Sequence, residues 1–69
     1  MQEVTKYRNT PAGIVATRGK RELHVLATSF NEVKTARRLL AEESFDSLFK
    51  RAKRAPGMRG VAFIKISEL

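Results

Sequence analysis

The run Val61-Ala62-Phe63-Ile64-Lys65-Ile66 has a single polar residue, Lys65. Strand side chains alternate between faces, so a strand here presents apolar groups on both sides. Such a strand is expected to be well covered, inside a sheet and paired between neighbours or across a dimer. With 69 residues the chain amounts to one domain, residues 1–69, and a domain of that size buries only about 60% of its unfolded surface. There is no cysteine, so neither a disulfide framework nor a zinc-thiolate site can reinforce it. Without such staples a reducing, cytoplasmic setting is expected, and homodimerisation is the further way to bury apolar surface. An unpaired edge at VAFIKISEL would invite it.

The elements before this run are marked by their turns. Gln2 to Arg8 carries the β-formers Val4, Thr5 and Tyr7, and Asn9, Thr10, Pro11 and Gly13 follow as a turn. Ile14 to Thr17 and Glu22 to Ala27 flank Arg18-Gly19-Lys20-Arg21, which predicts a hairpin. In the second arm Leu23, Val25 and Ala27 share the better core face, opposite His24 and Leu26. Ser29-Phe30-Asn31-Glu32 has the spacing of a capping box, in which Ser29 takes the N3 amide and Glu32 reaches back to the cap amide. Phe30, Val33, Ala36, Leu39 and Leu40 then fall on one helical arc, with Arg37 at its edge. Ser44 opens a second helix with Phe45, Leu48, Phe49, Ala52 and Ala55 as its apolar stripe, stopped by Pro56-Gly57. The fold class expected is α+β: an antiparallel sheet of three to four strands with two helices on one face, in the order β-β-β-α-α-β.

Fourteen Lys and Arg face seven Asp and Glu, a net charge of +7. Self-repulsion at that density favours a polyanionic partner. Three clusters carry the excess: Arg18, Lys20 and Arg21 at the hairpin; Lys34, Arg37 and Arg38 on the first helix; Lys50, Arg51, Lys53, Arg54 and Arg59 on the second helix and its exit. Side chains of this kind bind phosphates without reading sequence. The expected partner is therefore nucleic acid, duplex DNA ahead of RNA, and the expected role regulatory or accessory. The alternative is a small inhibitor, of the kind phages and mobile elements encode, that docks on an acidic host protein complex.

Other classes fit poorly. His24 is the one histidine, and Glu42 and Glu43 point about 100° apart on a helix, so no paired acid–base site is visible. No catalytic residue, metal site or cofactor is expected, and Gly57-Met58-Arg59-Gly60 lacks the spacing of a phosphate-binding loop. The second helix has the polarity of a membrane-surface helix, but its stripe is narrow and its phenylalanines are wanted for the core. No apolar run approaches the ~20 residues of a membrane span, and MQEVTKYRNT shows no signal-peptide core. A helix-turn-helix would present Phe45, Asp46 and Ser47 to the bases, with the positive charge at the wrong end.

The stretch Tyr7 to Leu40, with GIVATRGKRELHVLATSF at its centre, resembles the three-stranded-sheet-plus-helix DNA-binding domains of plant ethylene-response factors and of tyrosine-recombinase arm-binding domains. The resemblance implies a sheet face in the major groove. Arg18, Lys20 and Arg21, with Lys6 or Arg8 on the first strand, would then approach DNA. The plant family uses tryptophan on its sheet, and this chain has none.

Overall fold

A computed structural model of the chain describes residues 4–68. β1 (Lys6–Thr10), β2 (Gly13–Arg18) and β3 (Arg21–Leu26) lead into α1 (Phe30–Glu42) and α2 (Phe45–Arg51). β4 (Lys53–Arg54), β5 (Val61–Lys65) and a 3₁₀ turn at Ile66–Glu68 follow. The α+β class holds. The sheet is nevertheless five-stranded, in the order β1-β2-β3-β5-β4, and mixed, because β5 runs parallel to β3. This corrects the antiparallel sheet of three to four strands in the order β-β-β-α-α-β. A parallel neighbour needs a crossover of a dozen or more residues, and the two helices supply it.

The turns follow from their residues. Gly19 takes φ +61 as the first residue of the two-residue loop between β2 and β3, the position at which a type II′ turn demands glycine. Of the first-strand stretch, Gln2 and Glu3 lie outside the described residues. β1 itself begins at Lys6 and continues through Asn9 and Thr10, which pair with Ile14 and Gly13, so the turn contracts to Pro11-Ala12.

The core lies between one face of the sheet and the helices. Ile14, Val25 and Ile64 align across β2, β3 and β5, as do Ala16, Leu23 and Ala62. Ala36 and Leu40 of α1 and Phe45, Leu48 and Phe49 of α2 close over them. Leu23, Val25 and Ala27 are buried as the alternation requires. Both helices start at serine caps: the Glu32 amide donates to Ser29 Oγ and the Ser47 amide to Ser44 Oγ, each at 3.2 Å. The Glu32 carboxylate accepts from the amide and hydroxyl of Thr28 rather than from the cap amide. Phe30, placed on the core arc by its spacing, is 73% exposed. It is the first residue of α1, and its ring lies beneath Lys34 Nζ at 4.9 Å instead of entering the core.

The second helix is shorter than its apolar stripe suggests. It ends at Arg51, and Ala52 already has extended dihedrals. Continuing it would stack Lys50, Lys53 and Arg54 at helical spacings where like charges repel, and the residue before a proline, here Ala55, disfavours helix. Lys53 and Arg54 instead pair with Phe63 and Ala62 as β4. Pro56 and Gly57 then form a turn in which the Met58 amide donates to the Ala55 carbonyl at 3.3 Å and Gly57 takes φ +75. Pro at the second and Gly at the third position is the type II pattern. Proline and glycine here turn a hairpin rather than stop a helix.

β5 is thus flanked by β3 and, at Ala62 and Phe63, by the two-residue β4, which takes up part of the edge that argued for a dimer. Helices cover β5 on one side only, correcting the cover expected on both. Ala62 and Ile64 are buried beneath them, whereas Phe63 is 36% exposed on the other face. No helix among the described residues is long and apolar enough to cross a membrane.

Candidate nucleic-acid interface

The face of the sheet opposite the helices is uncovered, and its composition follows from register and alternation. One row crosses all five strands: Arg8 on β1, Val15 on β2, His24 on β3, Phe63 on β5 and Lys53 on β4. With neighbouring strands about 4.8 Å apart, that row is roughly 19 Å long. A second row is Lys6, Thr17, Glu22 and Val61. Leu26 and Lys65 are partners in the next.

The middle of this face is apolar and aromatic. The His24 and Phe63 rings have centroids 5.1 Å apart with planes inclined by 37°. Val15 and Val61 are buried beside them. The edges are basic: Lys6, Arg8, Lys53 and Lys65 are exposed and make no ion pair among the described residues. Glu22 is the one acid in these rows, with Oε2 3.9 Å from His24 Nε2. An open sheet face with exposed cations around two part-exposed rings can hold phosphates at its rim and planar groups at its centre.

The residues singled out from sequence divide between this face and the other. Lys53 belongs to the open face. Arg21 and Arg54 are on the helix-bearing side, with guanidinium carbons 5.8 and 5.0 Å from the centroid of the Phe49 ring. Together with Lys50 and Asp46 they line a shallow depression of about 480 Å³. Its charge is partly neutralised, because Arg21 Nη1 donates to Asp46 Oδ1 at 2.9 Å. Arg51 is engaged by Glu43, whose two carboxylate oxygens accept from Nη1 at 2.9 and 3.0 Å. Lys34 and Arg38 are exposed, one helical turn apart on α1. Gly60, the residue after Arg59, sits against the Lys20 carbonyl, and its own carbonyl accepts from the Glu22 amide. Arg18 is the register partner of Arg21 at the hairpin end.

The pairing implied by the resemblance therefore separates. Lys6 and Arg8 alternate onto the open face, whereas Arg18 and Arg21 share parity with the core residues Ala16 and Leu23. His24, Phe63 and Lys65 were not among the candidate nucleic-acid-binding residues. Alternation within VAFIKI already places Phe63 and Lys65 on one side, but their nearness to His24 depends on the parallel β3–β5 pairing.

A separate groove of about 340 Å³ runs between β1 and α1, lined by Tyr7, Asn9, Ile14, Arg37, Leu40 and Ala41. It adjoins β1, the outer strand at that end of the sheet. Comparison of the chain with family models, curated proteins and solved structures finds no match.

Proposed function

We propose that this chain is a non-enzymatic nucleic-acid-binding domain with a regulatory or accessory role, and that the open sheet face is its contact surface. The observation that carries this reading is the charge of that face: among the described residues Lys6, Arg8, Lys53 and Lys65 have no ion-pair partner, and Glu22 is the one acid in their rows. Elsewhere Arg21 is neutralised by Asp46 and Arg51 by Glu43. Cations at the rim of a flat face hold a phosphate backbone, and duplex DNA, the partner expected from the sequence, can be taken in this way. Lys20, Lys34, Arg38, Lys50 and Arg59, exposed elsewhere on the surface, add to the long-range field that draws a polyanion in.

Fluorescence-anisotropy titrations with duplex DNA and with RNA at two salt concentrations test the reading. Log affinity falls linearly with log salt, by about 0.9 per phosphate neutralised on a duplex and about 0.7 on a single strand. Replacing Lys6, Arg8, Lys53 and Lys65 together by Gln reduces that slope by roughly three units or more. Absence of binding at low salt overturns the proposal.

A second reading, an inhibitor that docks on a host protein complex, is favoured by the groove along β1 and α1 beside the outer strand. An exposed edge can accept a strand from another chain. Capture of one host complex by the wild-type chain, lost on Tyr7→Arg and retained by the four-Gln variant, would select that reading.

A further inference from the structure

The cations of the open face account for phosphate contacts but not for the two rings at its centre. Phe63 and His24 are register partners on adjacent, parallel strands, with centroids 5.1 Å apart. Phe63 is 36% exposed, and the His24 side chain is 27% exposed. Leaving a third of a phenylalanine ring in water forgoes part of the apolar burial on which a small domain depends. The fold had the opposite option, because Ala62 and Ile64 on the same strand are buried beneath the helices.

We propose that this ring pair is a stacking platform for unpaired bases, so that the open face prefers single-stranded nucleic acid to duplex. The inference rests on the proposed function and deepens it by naming the form of nucleic acid. In a duplex the base faces are stacked on one another, and only base edges and phosphates are presented to a flat surface. In a single strand the base faces are free, and aromatic side chains on adjacent strands of a sheet can take successive bases. Charge complementarity supports the same occupant. Arg8 and Lys53 stand at the two ends of the row that holds the rings, with Lys6 and Lys65 in the rows on either side. A backbone passing across the strands meets a cation before and after the rings. Val15 and Val61, buried on the same face, form its apolar surroundings. Base stacking tolerates any sequence, because every base has a π face.

The experiment uses the whole chain and two probes: an oligothymidine of roughly 16 nucleotides, the upper end of the range for a single-strand site, and a blunt duplex of the same length. Wild type is expected to bind the single strand more tightly than the duplex at equal salt. Phe63→Leu keeps an apolar side chain but removes the ring, and it should weaken single-strand binding by roughly 5- to 150-fold with little change for the duplex. Phe63→Tyr should retain binding. The chain has no tryptophan, so Phe63→Trp installs a single reporter whose emission is quenched when a base stacks on it. Melting of each variant verifies folding, and the Trp signal gives a readout that does not depend on the Leu variant. Equal affinity for both probes, or unchanged single-strand affinity in folded Phe63→Leu, or no quenching, overturns the stacking platform. If duplex binding then persists and is abolished by the four-Gln variant, the proposed function survives the loss of this inference. If wild type binds neither probe at low salt, both fall.

Discussion

Lys53 and Arg54 are consecutive in the chain and stand on opposite faces of the sheet. Lys53 is the register partner of Phe63 on the open face, whereas the Arg54 guanidinium carbon lies 5.0 Å from the centroid of the Phe49 ring on the helix side. A helix would have grouped them with Lys50 on one exposed side. The two-residue strand splits the charge, sending one cation to the proposed interface and the other to a cation–π contact.

That division predicts unequal effects of two conservative changes. Lys53→Gln should lower the salt slope of nucleic-acid binding by about 0.7–0.9, the loss of one phosphate contact. Arg54→Gln should leave the slope unchanged and reduce stability by about 0.5–1 kcal/mol through the lost cation–π contact. Salt titrations and urea unfolding of the two variants distinguish them, and an equal slope change in both would contradict the assignment of faces.

Arg21 and Asp46 are 25 positions apart and joined by a 2.9 Å hydrogen-bonded ion pair. The link ties the start of β3 to the first turn of α2. Both side chains are more than half exposed, so screening keeps the pair weak. A double-mutant cycle of Arg21→Gln and Asp46→Asn should give a coupling of about 0.2–1 kcal/mol that shrinks as salt is raised.

Gly13 and Gly57 both have positive φ, +141 and +75, but only one is hemmed in. A Cβ at Gly13 would collide with the Val25 carbonyl oxygen, whereas at Gly57 nothing lies within 4 Å. Gly57→Ala should cost about 1–2 kcal/mol, the left-handed penalty alone. Gly13→Ala must also push β2 from β3 and should cost more than about 4 kcal/mol. Against a total stability of about 3–10 kcal/mol for this length, circular dichroism should show Gly57→Ala folded and Gly13→Ala largely unfolded.

Leu48 is fully buried and Phe30 is 73% exposed. Leu48→Ala should destabilise the chain by about 2–5 kcal/mol. Phe30→Ser should cost no more than about 1 kcal/mol, the exposed cation–π contact with Lys34. Thermal melts check both, and a large loss in the Phe30 variant would return that ring to the core arc that its spacing suggests.

Phe30 shows how far local pattern reaches. Its i, i+3, i+6 relation to Val33 and Ala36 is right for one helix face, and Ser29 does cap the helix. Phe30, however, stands at one end of that arc, about 120° round the helix from Ala36 at ~100° per residue, while Val33 in the same turn packs against the core. The stripe Phe45, Leu48, Phe49 was legible for the same reason that Ser44 was: cap and periodicity act within a few residues. Ala52 and Ala55 fit the stripe too, but β5 claimed that segment as a partner strand. The basic residues were legible as types and counts. Their grouping was not, because Arg21, Lys50 and Arg54 gather round Phe49 only when α2 packs on the sheet, and Phe63 meets His24 only through β3–β5 pairing.

By itself the sequence determined what short-range physics controls. Serine hydroxyls at helix starts satisfy free amides, Gly19 permits a left-handed turn residue, and alternation put Leu23, Val25 and Ala27 on a buried face. It also determined the excess of cations, fourteen Lys and Arg against seven Asp and Glu. Tertiary structure alone decided that β5 runs parallel beside β3, that Lys53 and Arg54 leave the helix, and that Phe63 lies part-exposed beside His24. The reason is that strand pairing joins residues far apart in the chain. Which edges meet depends on the free energy of the whole packed sheet, not on the preferences of either segment.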